Sequence, residues 1–141
     1  MSNNFHKPAD FFHLYSKTAY EKDITGMISL YDDNVLVFDM WEKGFTAGIK
    51  EWSSIIADWL SSLNDEKVKV LFERIDIQEG ADTAFAHALI QFQAISPDGS
   101  VIRSMKNRIT VGMIKRDGLW KVVHQHTSAP VDSNLKAILD I

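Results

Sequence analysis

The spacing of apolar positions changes once along the chain, from a helical period to a strand period. Phe11, Leu14, Tyr15, Thr18 and Ala19 fall on one helical face. Pro8 suits the first turn before them, where its missing N–H costs nothing. Asp23 has the character of an N-cap for a second, short helix carrying Ile24, Met27, Ile28 and Tyr31. Asp32-Asp33-Asn34 reads as the turn that ends it, and Val35–Phe38 as a short buried strand. Ile49, Trp52, Ile55, Ile56, Trp59, Leu60 and Leu63 recur three and four residues apart. They form a broad apolar stripe on a third helix, opened near Gly48 and closed near Asn64.

From Glu66 onward the pattern is that of strands. The runs are Val68–Gln78, Thr83–Ile95, Val101–Lys115 and Leu119–Ser128. Short turns at Glu79-Gly80-Ala81-Asp82, Ser96-Pro97-Asp98-Gly99 and Arg116-Asp117-Gly118 make them an antiparallel meander. In the first run the apolar face shifts from Val68, Val70 and Phe72 to Leu71, Ile75 and Ile77. A period of two cannot shift without a bulge, which predicts one near Phe72–Arg74. Val131–Ile141 reads as a short terminal helix. Three helices followed by a bent sheet give an α+β layer fold over residues 1–141, one domain, with a cavity where the helices cover only part of the sheet.

Composition narrows the chemistry. The chain has 141 residues, with 8 Phe, 4 Trp and 3 Tyr and no cysteine. Disulfides, thiolate metal sites and a cysteine nucleophile are therefore excluded. A net charge of −4 gives no basic footprint for nucleic acid or anionic membrane. The N-terminal stretch has no signal-peptide pattern and no apolar run is long enough to span a membrane, so a cytoplasmic location is expected. No phosphate-binding glycine motif and no nucleophile elbow occurs, and no cofactor is expected.

Chemistry then falls to Asp, His, Tyr and Arg. Strict alternation along the last strand puts Trp120, Val122, His124, His126 and Ser128 on one face. Two imidazoles beside a hydroxyl and an indole can relay protons; equally, one is a core histidine and the other exposed. With His87 or Asp39 as a third ligand the pair could hold zinc, but no second ligand motif accompanies it, so no metal is expected. Arg108, set among apolar residues, needs a carboxylate or a ligand anion if buried, and is otherwise a surface residue. Asp39 follows four apolar residues where the chain leaves the core. Partial desolvation there suits general-base work, and a turn-capping role is the alternative. Tyr15 on the first helix is a hydrogen-bond donor into the cavity or a core residue with its tip in solvent. Trp41, Trp52 and Trp59, with His87, Trp120 and Ser128, complete the expected pocket lining.

These residues resemble the SnoaL-like members of the NTF2-like superfamily, the cystatin-like fold shared with ketosteroid isomerase. The likeness rests on Tyr15…Asp23-Ile24-Thr25-Gly26-Met27, Leu30-Tyr31-Asp32-Asp33-Asn34-Val35, Gly48 and Asp98-Gly99. Its most specific part is Arg108-Ile109-Thr110 with Gly118-Leu119-Trp120-Lys121-Val122-Val123-His124-Gln125-His126-Thr127-Ser128. The resemblance implies a cone of three helices on a strongly curved antiparallel sheet enclosing a pocket, and a homodimer packed through the sheet. In ketosteroid isomerases a helix-1 Tyr helps bind the oxyanion and a carboxylate after the first strand moves the proton. Tyr15 and Asp39 hold the matching places. The second, protonated acid of those enzymes has no counterpart in Lys106-Asn107-Arg108, which argues against a steroid isomerase.

Two functions are consistent with this. One is a cofactor-free isomerase, cyclase or dehydratase, with Asp39 or His126 as base and Arg108, His124 and Tyr15 stabilising an oxyanion. The other is a non-catalytic ligand-binding or assembly domain, its pocket holding an apolar or carboxylate-bearing small molecule against Arg108. The first requires Asp39, His126 and Arg108 to face one cavity.

Overall fold

The computed structural model describes residues 4–141. Residues 1–3, the start of the stretch read above as lacking a signal, lie outside the described residues. Helix α1 spans Asp10–Glu21 and buries Phe11, Phe12, Tyr15, Thr18 and Ala19. The Asp10 carboxylate accepts the backbone N–H groups of His6 and Lys7, both at 3.1 Å, which ties down the incoming chain. Helix α2, Ile24–Ile28, is capped by Asp23 as expected, its side chain accepting Gly26 N–H at 2.9 Å. A Cβ on Gly26 would lie 2.3 Å from Asp23 Oδ2, so the cap itself requires glycine there.

Strand β1 runs from Tyr31 to Phe38 and is longer than its apolar run. Asp32-Asp33-Asn34, expected as a turn, belongs to it. Asp32 is buried and accepts Arg116 Nε at 2.8 Å, a pairing with a distant residue that local propensity cannot register. Strand β2, Thr46–Ala47, and Gly48 at φ 90 lead into α3, Ile49–Ser61. Strands β3 (Lys67–Glu79), β4 (Thr83–Ile95), β5 (Val101–Arg116) and β6 (Leu119–Ser128) form the expected meander. The sheet order is β2-β1-β6-β5-β4-β3. It is mixed rather than wholly antiparallel, because β1 lies parallel to β6. A strand from the start of the chain and one from its end therefore sit side by side.

The register shifts at four places in this sheet, and two of these bulges bear on the site. In β3 the register slips between Glu73 and Asp76, with Arg74 at φ 56, where the sequence calls for it. The slip returns only Ile77 to the core; Leu71 and Ile75 point outward and are exposed. The second bulge goes beyond the sequence expectation. In β6, Val122 pairs with Met113 and His124 with Gly112, leaving Val123 as an extra residue. Residues 129–141 form no helix. They turn back through an isolated Val131–Ala137 bridge, and Leu139 C=O accepts Lys106 N–H where β6 has ended.

The core lies between the helices and the concave face, around Phe11, Met27, Leu30, Ile56, Ile90, Ile109, Met113 and Trp120. On α3 only Trp52, Ile56 and Leu60 are fully buried. The apolar stripe is wider than the buried face because part of it borders a cavity.

Candidate functional site

The space between α1, α3 and the concave face is a cavity of about 780 Å³. Tyr15 of α1 and Trp52, Ile55, Ile56 and Trp59 of α3 form one wall. Val68, Phe92, Met105, Asn107, Gln125 and Thr127 form the sheet wall. The rim is the β1–β2 connection, with Asp39, Trp41, Glu42, Lys43, Gly44 and Phe45. Tyr15 stacks on Trp59 with ring centroids 6.4 Å apart, and Trp59 meets Phe92 edge-on at 6.0 Å. Such a lining suits a flat apolar molecule with few polar groups.

Asp39 and Tyr15 both line this cavity, in keeping with the sequence reading. Asp39 is also a turn residue: Oδ1 accepts Trp41 N–H at 2.9 Å and its own N–H donates to Gly44 C=O at 3.2 Å. The turn role is thus seen directly, and Oδ2 is the carboxylate oxygen that the turn does not engage. Tyr15 is 6% exposed, and burial pushes its phenol well up. It therefore stays a protonated donor throughout the physiological range. Trp41 stands at the rim, more than half exposed, while Trp52 and Trp59 line the interior wall.

The β6 bulge decides the rest. Trp120 and Val122 point inward, the extra Val123 shifts the phase, and Gln125 and Thr127 continue the inner face. His124, His126 and Ser128 are thereby turned to the outer face and do not line the cavity. His124 Nδ1 sits 2.7 Å from Leu36 C=O, to which it donates, and both imidazoles pack edge-on against Phe38 at 5.0 and 5.5 Å. Arg108 is likewise outside, its Nε donating to Ser128 Oγ at 3.2 Å. His87 lies outside as well, 3.4 Å from Asp76. Trp120 is inside but in solid core, away from the cavity. The expected union of Asp39, His126 and Arg108 in one pocket does not form. Among the described residues no group of three His, Cys, Asp or Glu side chains is placed to hold a metal.

Sequence reasoning missed Gln125, Thr127 and Asn107. Gln125 is 3% exposed and accepts the Tyr31 hydroxyl at 2.7 Å. Asn107 is buried, its Nδ2 directed at Met40 Sδ at 3.0 Å. The signal that would have found the β6 pair is Val122-Val123, two adjacent β-branched residues inside an alternating strand, which marks a change of phase.

The cavity is concave and mostly apolar, with a few polar groups in its lining. Residues 9–132 match the SnoaL-like domain, and the chain belongs to that family. None of the curated proteins matches the sequence. Among solved structures, an NTF2-like protein of unknown function from Pseudomonas putida KT2440 is similar, with TM-score 0.82 and 23% identity, over 94% of this chain and 92% of that one. Aln2 from a Streptomyces species superposes with TM-score 0.74 at 9% identity over 85% of each chain. A nuclear transport factor 2 (NTF2-like) superfamily protein from Salmonella enterica gives 0.70 at 17% identity, over 88% and 89%. At these identities the likeness is one of fold. Among the described residues no helix is long and apolar enough to cross a membrane.

Proposed function

We propose that the cavity binds an apolar carbonyl compound and catalyses cofactor-free proton transfer, of the isomerase, cyclase or dehydratase kind. The observation that carries this reading is the presence of Asp39 and Tyr15 in the lining of one apolar cavity. Asp39 Oδ2 removes a proton from carbon next to the carbonyl, and the electron pair moves onto the carbonyl oxygen. The protonated Tyr15 hydroxyl donates to that developing oxyanion, and Asp39 returns the proton at the product carbon. His124, His126 and Arg108 take no part, since all three face away from the cavity. A second copy packed on the outer sheet face belongs to the same reading, supported by the exposed Leu71, Phe85 and Ile102.

The test is α-hydrogen exchange of 2-tetralone in D2O, followed by NMR. The protein should accelerate exchange, and Asp39→Asn should slow it by about 10²–10⁴-fold, the range of a positioned general base. Tetralone that binds but exchanges no faster than in buffer refutes catalysis. That outcome favours the ligand-binding alternative, which the engagement of Asp39 Oδ1 by Trp41 N–H supports.

A further inference from the structure

Gln125 is the most deeply buried amide on the sheet wall of the cavity after Asn107, and it has a fixed partner. The Tyr31 hydroxyl, itself buried, donates to Gln125 Oε1 at 2.7 Å. The oxygen end of Gln125 is thereby held at Tyr31, and the N–H2 end is left to the cavity. We infer that Tyr31 is a positioning residue that locks the Gln125 amide as a second hydrogen-bond donor to a ligand carbonyl or phenolate oxygen. The inference rests on the cavity being a small-molecule site, as proposed above, and adds the polarity its occupant must have.

Three observations support the lock. Tyr31 is held by its own surroundings, edge-on to Trp52 at 5.8 Å, and so does not swing away. Burial, with a smaller contribution from the neighbouring Tyr15 phenol, keeps the Tyr31 hydroxyl protonated, so the donor does not switch off with pH. The β6 bulge places Gln125 inward and both neighbouring histidines outward, so the amide is the only nitrogen donor that β6 side chains offer the cavity. An uncharged, fixed donor on the same cavity as Tyr15 suits an oxygen that is neutral in the bound state and gains charge only in reaction.

The probes are 2-tetralone and tetralin, which differ by one carbonyl, titrated by ligand-observed NMR. The unsubstituted protein should prefer the ketone. In Tyr31→Phe and in Gln125→Met that preference should fall about fivefold, one hydrogen bond's net worth, while tetralin binding stays the same. A general loss of packing would weaken both probes together, so the ratio isolates the donor. Tyr31→Phe leaves the amide oxygen unpartnered; if it does not fold, Gln125→Met carries the test alone. An unchanged ratio in Gln125→Met overturns the inference and leaves the cavity reading intact. Failure of both probes to bind the unsubstituted protein overturns the two together.

Discussion

Two indoles that look equivalent in the sequence are expected to behave oppositely when truncated. Trp120 is 2% exposed in solid core; Trp59 is half-buried and faces the cavity. A fully buried indole removes roughly 200–250 Å² from water, about 5–6 kcal/mol at ~25 cal/mol/Å². Residual burial in a compact unfolded chain trims that by roughly 10–40%, which leaves about 3–5 kcal/mol for Trp120→Ala. Trp59 already borders empty space on one side, so Trp59→Ala should cost about half as much, roughly 2 kcal/mol. Its larger effect should be on tetralin affinity, because the stacked surface that receives the ring is lost. Urea unfolding followed by far-UV circular dichroism measures the first quantity, and ligand-observed NMR the second. Should Trp120→Ala fail to fold, Trp120→Phe, about three heavy atoms smaller, is expected to cost about 2 kcal/mol. The assignment of Trp120 to core and Trp59 to the site is refuted if Trp59→Ala destabilises as much as Trp120→Ala while tetralin affinity holds.

Asp98 accepts hydrogen bonds from the Ser96 hydroxyl and from Ser100, and these pull its carboxyl down to about 2 from the ordinary 3.8. Because the folded value is depressed, its stabilising effect is present above about 3.8 and lost as pH falls through about 2. NMR titration of Asp98 should read the lower value in the native protein and a value closer to the ordinary one after Ser96→Ala with Ser100→Gly removes both hydroxyls. If the outer sheet face packs against a second copy, Phe85→Lys, which places a charge on an exposed apolar position of β4, should convert a dimer of two 16.0 kDa chains to monomer in sedimentation equilibrium. A monomer before substitution removes the dimer from the reading.

The helices, the meander and the β3 bulge were legible because each leaves a local mark: a periodic stripe, a turn sequence, a phase shift in one run. Asp32 was not, since its neighbours Asp33 and Asn34 look like a turn and its partner Arg116 lies far along the chain. The site was half legible. Asp39 and Tyr15 stand on recognisable elements, one where a strand ends and one on a helical stripe. The β6 residues were misassigned because alternation is a strict rule until one extra residue breaks it, and then every later side chain changes face. Val123 alone exchanges His124 and His126 for Gln125 and Thr127 in the cavity wall. That substitutes neutral hydrogen-bonding groups for titratable ones.

The parallel pairing of β1 with β6 bears on how the chain assembles. Val122 N–H donates to Leu30 C=O at 2.8 Å, Trp120 N–H to Phe5 C=O at 2.9 Å, and Lys121 Nζ to Ser29 C=O at 2.8 Å. The N-terminal helices and β1 are thus fastened by β6, which is made some ninety residues later. During synthesis the first half must wait, with Phe5, Leu30 and Val35 uncovered, until β6 has been made. Contacts of such long sequence separation close slowly. A ribosome stalled before Leu119 would leave β1 and β5 without the strand that lies between them, and the cavity without the part of its sheet wall that Gln125 and Thr127 supply.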